Sequence, residues 1–144
     1  MANYTRLLPA VWRFCFGSRD AEATEQERLG EAKAELLGSG NYRVAVADTS
    51  NYQRELMWIA GGKKTEKARL QAAAVLVLET DNPDDPQAVA VIIKRQTIGH
   101  LSREDARRYR CRLRKFGFPD LQAAFPAIVV WDGKQFGVRV DVEL

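Results

Sequence analysis

The stretch from Asp81 to Lys115, DNPDDPQAVAVIIKRQTIGHLSREDARRYRCRLRK, leaves its backbone fewer options than any other part of the chain. Asn and Asp side chains bond their own backbone two residues on, and each proline fixes φ and disfavours helix just before it. Asp81-Asn82-Pro83 and Asp85-Pro86 therefore predict a chain reversal. Ala88 to Ile93 is a run rich in β-branched residues whose length suits a buried strand, and Lys94-Arg95 returns it to solvent. A short hairpin is expected through Gln96. Thr97, Ile98 and Gly99 then deliver His100 and Leu101 to Ser102-Arg103-Glu104-Asp105. There a serine followed three residues later by a carboxylate resembles a capping box and predicts a helix from Arg103.

That helix carries two stripes. Ala106, Tyr109, Leu113 and Phe116 recur at helical period and predict a core face, with Tyr109 and Phe116 inside. Arg103, Arg107, Arg110 and Arg114 form a second stripe, which Arg108, Arg112 and Lys115 extend. From Lys94 to Lys115 nine Lys or Arg stand against Glu104 and Asp105, a local charge of +7 in a chain whose total is +3, so the remainder sums to −4. A cationic helix with so few acids of its own points to an anionic partner.

At 144 residues and 46% hydrophobic content, the chain has enough apolar material for one core, which makes one domain with an appendage the expected organisation. Cys15 and Cys111 are far apart and neither has a CxxC partner, so neither a disulfide framework nor a zinc site is expected. The opening MANYTRLLPAVWRFCFG is apolar but broken by Arg6, Pro9 and Arg13, too short for a membrane span. A soluble, cytoplasmic protein with no membrane partner is the expectation.

Residues 1–40 differ in character from the rest and are expected to be a tail or linker. Met1 to Gly17 is basic and aromatic, and Ser18 to Leu37 is rich in Glu and Ala. The second piece predicts a solvated helix over 18–37, with Ser18 as cap, Gly38 as stop and a thin apolar edge at Leu29, Ala32, Leu36 and Leu37. Trp12, Phe14 and Phe16 offer an alternative to a plain tail: docking on a protein partner, on a membrane surface or on the chain's own core.

From Asn41 the pattern is that of a packed domain. Tyr42 to Ala47 predicts a short strand, and Asp48-Thr49-Ser50-Asn51 turns the chain into a helix over Tyr52 to Ala60 that Gly61-Gly62 ends. Gly61-Gly62-Lys63-Lys64-Thr65 invites comparison with a phosphate-binding P-loop. That motif needs a glycine where Met57 stands, a Ser or Thr where Lys64 stands and a strand rather than a helix leading in, so no nucleotide site is expected. Gln71 to Glu79 predicts a long strand. Ala127 to Trp131 and Gln135 to Leu144 flank Asp132-Gly133, a strong hairpin signal. In the last strand Phe136, Val138, Val140, Val142 and Leu144 face one way, and Gly137, Arg139, Asp141 and Glu143 the other. Six strands with two helices inserted and no βαβ repeat predict a small curled sheet or barrel.

Catalysis finds little support. One histidine, no metal-spaced cluster of His or Cys and no nucleophile elbow leave only carboxylates, so neither enzyme activity nor a metal or other cofactor is expected.

DNPDDPQAVAV followed by IGHLSREDA resembles the HIRAN family. Its members pair an NPYD turn and strand with a Val/Ile-Gly-His/Tyr-Leu segment entering a helix. VAVADTSNYQREL is similar to the family's first strand and turn, and FGVRVDV to its last strand. The likeness covers about residues 41–144 in the right order. It implies a mainly β (α+β) fold, a small OB-like six-stranded β-barrel with two helices, and a module that binds the 3′ end of single-stranded DNA. By motif, the hydroxyl-binding aspartate becomes Asp85, the histidine His100, the basic residue at the helix entrance Arg103, and the stacking rings Tyr52 and Phe136.

The chain also departs from the family pattern. Asp84 stands where the motif has tyrosine, Gln87 where it has asparagine, Asn51 where it has an aromatic ring and Ser50 where it has arginine. Two stacking rings and one cation are thus absent, at about 1 to 3 kcal/mol per lost base stack. The resulting expectation is a non-catalytic module for single-stranded DNA with a preference for 3′ ends, in which Tyr52, Asp85, His100, Arg103, Arg107, Arg110, Arg114 and Phe136 make the contacts. The alternative is an adapter of the same fold whose basic helix, residues 103–115, meets an acidic protein partner.

Overall fold

The computed structural model describes residues 34–36, 38–62 and 69–144. The expectations for Trp12, Phe14, Phe16 and most of the helix placed over 18–37 lie outside those residues. The end of that helix does not form: Ala34–Glu35 is a short strand, β1, and Ala34 and Leu36 are buried in the core. The folded unit therefore begins before Asn41.

Chain order after β1 is β2 (Val44–Ala45), a 3-10 turn (Thr49–Tyr52), α1 (Gln53–Ile59), β3 (Arg69–Leu78), β4 (Val89–Ile93), β5 (Gln96–His100), α2 (Arg103–Lys115), β6 (Ala123–Trp131) and β7 (Phe136–Val140). The fold is mainly β, as expected: six strands run β2-β7-β6-β3-β4-β5 in one curled antiparallel sheet, with two helices. β1 is a seventh strand, added parallel to the start of β6 through Ala34 opposite Ala123. Its two residues carry no pattern long enough to announce it.

Several local signals have visible counterparts. β4 is buried at all five positions, which is why its run is apolar throughout instead of alternating. Val89, Val91 and Ile93 join the main core, while Ala90 and Ile92 join Val75, Val77 and Ala124 in a second cluster. Lys94 and Arg95 take positive φ (49° and 64°), the two-residue hairpin geometry whose twist matches the strands it joins. Ser102 caps α2, its hydroxyl accepting from the Asp105 N–H at 3.2 Å, and the helix begins at Arg103. Asp132 fastens the β6–β7 hairpin by accepting the N–H groups of Lys134 and Gln135, both at 2.8 Å.

The barrel closes at one place. Ala47, just past β2, exchanges both backbone hydrogen bonds with His100 at the end of β5, at 2.8 and 3.1 Å. Gly99 permits this approach, since a Cβ there would lie 2.4 Å from the Ala47 carbonyl oxygen. A bulge between Val91 and Ile92 leaves Ile98 as the extra residue of β5 and turns its side chain fully inward.

Expectations about α2, the last two strands and Gly38 are corrected. Phe116 is 38% exposed, because α2 ends at Lys115 and the chain turns before another helical turn can carry that ring inward. β6 begins at Ala123 instead of 127, since β3 supplies a partner as far as Leu76. β7 ends at Val140, and Asp141, read on the face opposite Phe136 and Val138, is only 4% exposed. Its carboxylate accepts the N–H groups of Gly40 at 2.8 Å and Tyr42 at 3.4 Å, so the chain wraps around it. Gly38, read as a helix stop, is a close approach instead: a Cβ there would meet Asp141 at 2.2 Å.

Candidate nucleic-acid interface

The turn between β3 and β4 is built around Asn82. Its Oδ1 accepts the N–H of Asp84 at 2.9 Å and of Asp85 at 3.3 Å, while its Nδ2 donates to Glu79 Oε2 at 2.9 Å. Asp85 in turn accepts the Gln87 N–H at 3.0 Å, and its backbone carbonyl accepts the Ala88 N–H at 3.1 Å. The Asn-Pro-Asp-Asp-Pro sequence thus folds onto itself through short polar side chains, as its turn chemistry predicts.

Glu79 carries the network to the barrel seam. Its Oε1 lies 3.2 Å from His100 Nε2, and the other ring nitrogen of His100 lies 3.5 Å from Asp48 Oδ2. Tyr52, at the start of α1, sets its ring 6.4 Å from the His100 ring, tilted by 55°. Burial raises the Tyr52 hydroxyl above its ordinary pKa, and the carboxylates of Asp48, Glu79 and Glu55 raise it further, so the hydroxyl keeps its proton at neutral pH. On the other side of the turn Arg103 Nε lies 4.0 Å from Asp85 Oδ2, with Arg103 75% exposed and Asp85 25%.

Four of the eight residues named from sequence therefore lie on one connected network at the open end of the barrel seam, its mouth: Tyr52, Asp85, His100 and Arg103. The mouth is acidic, with Asp48, Glu79, Asp84 and Asp85 around His100 and Arg103. Sequence reasoning missed Asp48 and Glu79 as members. One reads as a turn former and the other as a strand end, and only the seam brings both to His100.

The helix residues divide by role. Arg107 and Arg114 are exposed on α2, and neither has a hydrogen-bond or ion-pair partner among the described residues. Arg110 stands between them in the stripe but turns to the protein, donating to the carbonyl oxygens of Glu79 at 2.7 Å, Gln87 at 2.8 Å and Ala88 at 3.0 Å. Arg108 pairs with Glu104 one turn back at 2.6 Å, and Arg112 donates to the Glu143 carbonyl at 3.0 Å. The stripe read as uniform is thus part exposed surface and part scaffold.

Phe136 is corrected outright. It is 1% exposed, packed edge-on to Trp131 with ring centroids 4.8 Å apart, and cannot serve as a stacking platform. The Gln53 side chain holds its backbone, accepting the Phe136 N–H at 2.7 Å and donating to the Phe136 carbonyl at 2.9 Å. Among the described residues no group of three His, Cys, Asp or Glu is placed to hold a metal, and no helix is long and apolar enough to cross a membrane. No protein-family model, curated protein or solved structure matches this chain.

Proposed function

We propose that this chain is a HIRAN-type, non-catalytic module that binds single-stranded nucleic acid, DNA by preference, with a free 3′ end seated at the mouth. The observation that carries the reading is the line of Arg103, Arg107 and Arg114. It starts beside Asp85 and runs along one side of α2, and its two later members have no partner among the described residues. Arg103 and Arg107, four apart, are about 6 Å apart along the helix axis, on the order of one nucleotide step, and Arg107 and Arg114, seven apart, are about 10 Å apart, on the order of two, so the line suits a file of phosphates.

The acidic mouth gives the reading its direction. Carboxylates repel phosphate but accept a hydrogen bond from a hydroxyl, so a strand is received at Asp85 by a terminal hydroxyl and along α2 by its backbone. Tyr52 is the ring left at the mouth once Phe136 is withdrawn. With a single base platform, end affinity is lower than the four rings of the family pattern would give.

The test is fluorescence anisotropy of labelled single strands across a salt series, comparing 3′-hydroxyl with 3′-phosphate ends. Binding that weakens steeply with salt and favours the hydroxyl end is the expected result. Absence of binding even at low salt refutes the reading and turns the free arginines toward an acidic protein partner.

A further inference from the structure

We infer that Arg110 is a positioning residue for end recognition. It fixes the loop of residues 79–88 that carries Asp85, and so sets the preference between a free 3′-hydroxyl and a 3′-phosphate. The inference rests on the function proposed above, and it moves Arg110 from the phosphate-binding line to the loop.

One guanidinium holds both ends of the loop. Its Nε–H donates to Gln87, and its Nη2 donates to Glu79 and to Ala88. The two ends are also joined to each other, because the Glu79 N–H donates to the Ala88 carbonyl at 2.9 Å. Inside this ring the Asp85 carboxylate is set from two directions. It accepts the N–H of Gln87, whose own carbonyl Arg110 holds, and the Asp85 N–H rests on Asn82, which is anchored on the Glu79 side chain. A displacement of Arg110 is therefore passed to Asp85 through Gln87 and through Glu79. A planar fork suits three carbonyls in fixed directions, whereas a lysine ammonium keeps the charge without the fork. With three of its N–H groups directed at carbonyls, Arg110 has little left for a phosphate.

The experiment compares Arg110→Lys with Arg107→Glu in the full chain, using the same strands and salt series, with thermal midpoints to establish folding. In Arg110→Lys the ratio of affinities for hydroxyl and phosphate ends is expected to fall several-fold toward one. The slope of affinity against salt should stay at the parent's value. In Arg107→Glu the ratio is kept and the slope becomes shallower by about 0.7, the contribution of one single-strand phosphate contact. Amide hydrogen exchange over residues 84–88 should speed up several-fold in Arg110→Lys and not in Arg107→Glu. Arg110→Gln serves as the second variant if the lysine chain is too unstable to titrate.

A folded Arg110 variant that keeps the parent's ratio overturns the inference, as does one whose salt slope falls like that of Arg107→Glu. So does a parent that binds strands without an end preference, which leaves strand binding itself standing. A parent that binds no single strands refutes the proposed function, and this inference with it.

Discussion

At Asp85, and among the arginines of α2, the surroundings decide what each side chain does. Asp85 is a quarter exposed at the mouth, with one oxygen engaged by Gln87 and the other facing Arg103 at 4.0 Å. Asp85→Ala is expected to erase the preference for a 3′-hydroxyl end. The bond lost is worth about 1.5 to 3 kcal/mol, roughly ten- to a hundredfold in the affinity ratio. Anisotropy on both ends checks this, with the thermal midpoint as control, because Asp85 also braces its own turn. The arginines separate in the same way. Arg107→Glu with Arg114→Glu should weaken strand binding and leave stability within about 0.5 kcal/mol of the parent, since both side chains are exposed and unpartnered among the described residues. Arg110→Glu should cost about 1.5 to 3 kcal/mol, because it strips the loop carbonyls of their donor. Urea titration of the three chains distinguishes them.

Among the elements, the β6–β7 hairpin and the seam between β2 and β5 are held by single residues. The N–H groups of Gln135 and then Lys134 hold the Asp132 carboxyl below its ordinary value of 3.8. A carboxylate whose folded pKa is depressed stabilises the fold above its unfolded pKa. That contribution is lost as pH falls through the folded value, here below about pH 4. Asp132→Asn keeps an oxygen acceptor but does not titrate. The difference in thermal midpoint between parent and variant should therefore shrink as pH is lowered from 5 toward 3. At the seam, Gly99→Ala pushes a methyl against the Ala47 carbonyl and should destabilise the chain by about 1 to 3 kcal/mol. Hydrogen exchange at the Ala47 and His100 amides is expected to rise first, because those two groups close the barrel.

Across the whole molecule, segments far apart in sequence are tied together by buried and half-buried polar groups. Asp141, from just past β7, binds the chain around residues 38–42, about a hundred positions earlier, and the Gln53 amide fills the backbone edge of Phe136. Asp141→Ala should cost about 1.5 to 3 kcal/mol and release β1 from β6, visible as loss of amide protection at Leu36, which donates to the Ala124 carbonyl. Asp141→Asn should recover part of that loss. The same tying assembles the mouth, where the β3–β4 turn, the 3-10 turn and the end of β5 meet at His100.

The sequence by itself determined the elements whose causes are local. The Asn-Pro-Asp-Asp-Pro turn, the Ser102 cap, the start of α2 at Arg103 and the Asp132 hairpin follow from bonds between residues two or three apart. Periodicity placed Ala106, Tyr109 and Leu113 inward for the same reason. Tertiary structure decided what depends on partners from elsewhere in the chain. A strand residue's face is fixed by alternation, but whether that face meets solvent depends on what packs there, so Asp141 went inside against the chain around residues 38–42. Phe136 shares the face of Val138 and Val140 as alternation predicts, but the burial of that face, which removes the ring from any ligand, was decided only by the closed barrel. Arg110 shares its helical angle with Arg107 and Arg114, and what sets it apart is a loop that arrives from more than twenty residues away with three carbonyls to satisfy.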